Sequence, residues 1–244
     1  LENFLSITTF HRLMSDVIHI GFLVFPKVTQ LDFTGPAQVL SRVPNAKVHL
    51  VWKAMEPLVT DVGFSINPTV TFDECPKLDV LCAPGGMGVI EQLSDAQTMD
   101  FLRKQGATAR YVTSVCNGSL LLGAAGLING YKSTCHWMWR HYLPQFGAEP
   151  VAARVVRDRN RFSGGGVTSG IDFAFTLATE LAGEEAARMI QLGLEYDPQP
   201  PLDSGSPDKA GAQRVSAARA VLAPSLPRIE SCVAQAAQRL KFVA

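Results

Sequence analysis

The chain has 244 residues, 47% hydrophobic and 18% charged, and its 22 basic and 22 acidic residues cancel to a formal net charge of zero. That length supplies a core large enough to fold without disulfide or metal staples, and the balanced charge lacks the clustered Lys/Arg excess that phosphate binding requires. The longest apolar run, around Ile18 to Phe25, has the length of a strand and not the roughly twenty residues of a membrane span. Neither nucleic-acid nor membrane partners are expected.

Residues 1–16 form a mixed segment with Glu2 early and His11-Arg12 late, read as a disordered extension without the pattern of a secretory signal. Residues 17–244 read as a single domain with a helical C-terminal appendage. The run Ile18 to Phe25 is a buried strand followed by a turn at Pro26. Asp32-Phe33-Thr34-Gly35-Pro36 reads as a helix entry, with Thr34 as cap and Pro36 in the first turn. Ala46 to Trp52 is a second strand, and Val59 to Phe72 a small hairpin excursion broken by Gly63 and Pro68. Leu78 to Ala83 is a short buried strand running into Pro84-Gly85-Gly86, and Asp95 to Gln105 is a helix. Arg110 to Val115 is a further strand, ending at Cys116-Asn117-Gly118, with a small-residue helix from Ser119 to Ala125. A hairpin around Val155 and Phe162 leads through Gly164-Gly165-Gly166 into a helix from about Gly170 to Leu194. Tyr196 to Ala210 is Pro-rich and extended, and two Ala/Arg-rich helices follow, interrupted at Pro224 and Pro227. Repeated strand–helix alternation predicts a mainly parallel sheet with helices on both faces.

The five cysteines are odd in number, and none belongs to a Cys-x-x-Cys or Cys/His cluster, so reduced thiols in the cytoplasm and no metal site are expected. Cys116 is the exception in context. It stands where a strand stops and a helix begins, an elbow that exposes a nucleophile at the carboxyl edge of a sheet and offers helix N–H groups that favour a thiolate. Gly118 is expected to let the backbone turn tightly there. Groups from neighbouring strand ends should meet Cys116 in the crevice where open α/β sheets bind ligands. Asp32, after the first strand, and Gly85-Gly86, after the third, have that position; the glycines would offer open N–H groups to a developing negative charge. The plainer readings are that Cys116 is a small buried hydrophobe, that Asp32 caps its helix and that the glycines turn the chain.

The ordered set Asp32-Phe33-Thr34-Gly35-Pro36, Ala83-Pro84-Gly85-Gly86, Ser114-Val115-Cys116-Asn117-Gly118, His136-Trp137 and Gly164 to Asp172 resembles the ThiJ/PfpI superfamily. Within it, the stretch from about Ile18 onward is similar to the bacterial isocyanide hydratases. The resemblance implies a flavodoxin-like three-layer sandwich, usually a homodimer, with Cys116 as nucleophile, Asp32 as its acidic partner and no cofactor. It also implies that Gly165 and Val167 sit against the elbow, and that the substrate is a small isocyanide. Asn117 takes the place of a usual threonine and, with the N–H groups near Gly86 and Gly118, is a further candidate for polarising an adduct. Peptidase-like members carry a histidine directly after the cysteine; here His136 is the remaining base candidate, and it reads more readily as a packed structural residue. The alternative function is a sensor domain like the ligand-binding half of AraC-type transcription regulators, although no basic recognition helix follows Tyr196.

Overall fold

The computed structural model describes residues 17–241, so the extension expected over residues 1–16 lies outside the described residues. In chain order, β1 (Ile18–Leu23) leads to α1 (Leu31–Leu40) and β2 (Ala46–Trp52). A small hairpin of β3 (Leu58–Val59) and β4 (Ser65–Ile66) precedes β5 (Val70–Thr71) and β6 (Val80–Ala83). Then come α2 (Val89–Gln92), α3 (Ala96–Gly106), β7 (Tyr111–Val115) and α4 (Gly118–Ala124). The paired β8 (Lys132–Ser133) and β9 (Glu149–Pro150) flank a 3-10 helix over Arg140–Phe146. The hairpin of β10 (Val155–Asp158) and β11 (Arg161–Gly164) feeds α5 (Ser169–Ala182) and α6 (Glu184–Gly193). The chain closes with α7 (Pro207–Ala210), α8 (Ala212–Leu222) and α9 (Leu226–Lys241).

Seven strands make one sheet in the order β10-β11-β7-β6-β1-β2-β5, parallel throughout except for β10 against β11. The chain moves outward from β1 in one direction to β2 and in the other to β6 and β7, so β1/β6 is a topological switch point. Right-handed crossovers in opposite directions put the connecting helices on opposite faces. Accordingly α1 packs with α5, whereas α4 packs with α2, α3 and α9. The sheet itself is the centre of the core: Ile20, Phe22, Val80, Leu81 and Val112 are all buried. Among the described residues no helix is long and apolar enough to cross a membrane.

Register places the carboxyl ends of the central strands level with one another. Ala83 of β6 pairs with Ser114 of β7, and Val115 pairs with Gly164 of β11. Whatever follows these strands therefore emerges along one edge.

The helix after β1 starts earlier than expected. It begins at Leu31 behind Gln30, which makes no side-chain cap, and Pro36 lies inside it. Thr34 is not the cap; its hydroxyl donates to Gln30 Oε1 at 2.9 Å. The Thr-Gly-Pro signal has a tertiary cause instead. A Cβ on Gly35 would lie 2.9 Å from Ile171 Cγ1, and one on Gly170 would lie 3.0 Å from Pro36 Cγ, so α1 and α5 touch through their glycines. The helix expected over 170–194 is two helices, broken at Gly183 with φ +87. Pro227 does not interrupt the last helix but stands in its first turn, where a missing N–H is harmless.

Candidate active site

Cys116 follows β7 directly, has φ +57 and is 7% exposed. A non-glycine residue in the left-handed region costs on the order of 1–3 kcal/mol, so the surroundings must hold it there. One restraint is its own N–H, which donates to Gly164 O at 3.0 Å. The strained turn is thus at Cys116, not at Gly118. Gly118 is required for a different reason: a Cβ there would collide with the Ala83 carbonyl oxygen and lie 2.6 Å from that of Pro84. Backbone atoms cannot yield as a flexible side chain can. Gly118→Ala is expected to force β6 and the elbow apart, lowering the thermal midpoint and the yield of folded protein together; a variant as stable as the natural chain would show that the elbow tolerates a methyl group.

Asp32 lies in the first turn of α1, on its buried face, with no exposed surface. Its Oδ2 accepts from the Gly85 N–H at 2.8 Å, and its Oδ1 has no hydrogen-bond partner. It caps nothing. A Cβ on Gly85 would lie 2.8 Å from both Asp32 Oδ2 and Cys116 Cβ, so carboxyl and thiol flank one glycine. Burial pushes the Asp32 carboxyl from 3.8 to about 8, against the pull of the Gly85 N–H, with Asp61 adding a smaller upward push. The Cys116 thiol is also pushed up, first by burial and then by the Asp32 charge, while the Asn117 N–H works the other way. Desolvation and the neighbouring acid work against the thiolate that the helix N-terminus favours, and the two groups titrate as a coupled pair.

The Gly85 and Gly86 N–H groups are not open, contrary to the sequence reading. Gly85 donates to Asp32, and Gly86 donates to Asn117 Oδ1 at 2.8 Å. Asn117 Nδ2 in turn donates to Gly86 O at 3.1 Å, so both ends of the amide hold the Gly86 peptide and neither is left to polarise an adduct. Gly86 itself has φ +131, and a Cβ there would press on the backbone of Lys27, Val28 and Thr29, which run alongside it. Gly165 is buried beyond β11, with its N–H on Arg154 O at 2.9 Å, and Val167 is half-buried against the core. The Cys116–Gly164 hydrogen bond brings the start of that loop to the elbow.

His136 is a hydrogen-bonded structural residue: Nδ1 accepts from the Met138 N–H at 3.3 Å, the ring lies against Trp137, and burial lowers its pKa. What the sequence reading overlooked is the segment before it. Ser119 Oγ donates to Thr134 O at 2.7 Å and meets Ser114 Oγ at 2.9 Å, while the Thr134 N–H donates to Ser163 Oγ at 2.9 Å. These bonds carry buried Cys135 into electrostatic range of both Cys116 and Asp32. The signal was present as hydroxyl residues at the ends of otherwise apolar strands, whose buried polar groups must find partners.

The sequence profile of the DJ-1/PfpI family matches residues 19–180. The chain belongs to the DJ-1/PfpI family. Among its relatives, the isonitrile hydratase of Pseudomonas putida is 55% identical over 225 residues, spanning 92% of this chain and 99% of that enzyme. A crystal structure of a ThiJ/PfpI family protein from Pseudomonas syringae, 42% identical, superposes with a TM-score of 0.87 over 96% of this chain and 97% of its own. The HTH-type transcriptional regulator GbdR of Pseudomonas aeruginosa is 31% identical over 73% of this chain, but that match is only 50% of the regulator. The family fold is the flavodoxin-like α/β sandwich expected from the motif order.

Proposed function

We propose that the chain is an isocyanide hydratase, converting R–N≡C and water into the formamide R–NH–CHO by covalent catalysis at Cys116, as a cytoplasmic homodimer without a cofactor. The observation that carries the reading is the 55% identity, over nearly the full length of both chains, with an isonitrile hydratase. The buried pair of acids supports it. An isocyanide carbon takes both a proton and a nucleophile, and Asp32 and Cys116 supply one each across Gly85.

In the first step Asp32 gives its proton to the terminal carbon, sulfur bonds to that carbon, and the thiol proton returns to the carboxylate. The product is the thioimidate R–N=CH–S–Cys116, formed with no atom gained or lost beyond the thiol added. Water then attacks the same carbon. Asp32 takes a proton from the water as it protonates nitrogen, giving R–NH–CH(OH)–S–Cys116. Collapse expels sulfur, the hydroxyl proton passes to it through the carboxyl, and the formamide leaves. Oδ2 is held by Gly85, which leaves Oδ1 to exchange these protons in this scheme. Asn117 acts as a positioning residue, fixing the peptide of Gly86.

A thiol only 7% exposed suits a slender head group. The linear N≡C unit is two atoms long and needs little width, so R remains toward the Val167 side and is discriminated weakly by apolar contact. Cyclohexyl isocyanide should yield N-cyclohexylformamide in stoichiometric amount, and glyoxals should give negligible turnover because no histidine follows Cys116. Gas chromatography of the two reactions side by side decides it: glyoxal turnover equal to isocyanide turnover would contradict the proposal.

A further inference from the structure

A groove of about 590 Å³ runs between residues 137–142 and the helices α8 and α9, and the chemistry at Cys116 does not use it. Its volume lies within the roughly 300–1,000 Å³ of small-molecule sites. Trp137 and Met138 form one apolar wall, and Leu222 and Leu226 the other. Its polar lining is not fully explained by the protein's own contacts. Arg140 and Arg219 line the groove, and neither forms an ion pair among the described residues; Arg219 instead lies over the Trp137 ring, 5.8 Å from its centre.

Glu230 is the one carboxylate on the lining, so two arginines against one glutamate leave a single positive charge to be matched. We propose that this groove is a second small-molecule site, separate from Cys116, that takes a monocarboxylate with an apolar body. The body lies between Trp137 and the two leucines, and the carboxylate accepts from arginine. A cation is repelled and a neutral alcohol forfeits the charge-assisted bonds.

Equilibrium dialysis of the full chain against octanoate tests the assignment, with octylamine as the control of opposite charge. Octanoate should bind saturably, one per chain, and octylamine at least about tenfold more weakly, as the loss of a charge-assisted hydrogen bond implies. Arg219→Gln should weaken octanoate, Glu230→Gln should tighten it, and Cys116→Ser should leave its affinity unchanged. Thermal unfolding of each variant, run alongside, separates lost binding from lost folding. No saturable binding at millimolar octanoate, equal affinity for octylamine, or loss of binding in Cys116→Ser would overturn the proposal.

Discussion

Replacing Cys116 by serine is expected to remove isocyanide hydration by more than about a thousandfold, the scale seen when a covalent nucleophile is lost. The reason lies in the pair, not in charge already present on sulfur. Burial holds the Cys116 thiol above its ordinary range, so attack depends on the carboxyl accepting a proton as the bond forms. A carboxylate can take that proton from a thiol; an alcohol, far less acidic and less nucleophilic, gives it up poorly in the same place. Serine has the same shape and meets the same φ of +57, so thermal unfolding should stay close to that of the natural chain. Steady-state formation of the formamide is the readout, with alanine at Cys75 and Cys232 as controls that keep full turnover. Neither of those thiols stands at a strand end facing an acid.

Asp32→Asn is expected to cost roughly a hundredfold or more, because an amide cannot cycle a proton between thiol, carbon and water. The pH profile sharpens the test. A carboxyl raised to about 8 is protonated below that value and ionised above it, so turnover should hold across neutral pH and fall as pH rises through about 8. The same shift has a sign for stability. The folded chain keeps a proton that the unfolded chain releases near 4, so between about 4 and about 8 this group makes the fold progressively less stable as pH rises. Asparagine should flatten that slope, which denaturant titrations at several pH values would show. An Asp32→Asn enzyme with near-full turnover, or an unaltered alkaline limb, would remove Asp32 from the mechanism.

Much of the frame was legible because it depends on local pattern. The apolar runs at Ile18, Val80 and Tyr111 can only be covered strands, and the side chains just beyond them had to emerge along one edge. The nearness of Asp32 and Cys116 follows from that logic, together with the close approach at Gly85. The details that eluded the sequence are those fixed by partners distant along the chain. Nothing local shows that the Gly86 N–H is occupied by Asn117, 31 residues away, or that Gly118 is pressed against Ala83 O. The start of α1 was misplaced because Gly35 and Pro36 look like entry signals, whereas their neighbours are Ile171 and Gly170. The electrostatics of the thiol are only half legible: the dipole of a helix end is visible in sequence, and the desolvation that opposes it is not.

The covalent intermediate offers the most direct measurement. Natural chain mixed with cyclohexyl isocyanide, acid-quenched within the first turnover and analysed by intact-protein and peptide mass spectrometry, should carry one added isocyanide mass, confined to the peptide that contains Cys116. The released formamide from a parallel reaction in deuterium oxide should bear deuterium on its formyl carbon. Steady turnover with no adduct on Cys116 at any quench time, or an adduct on another residue, would contradict the account.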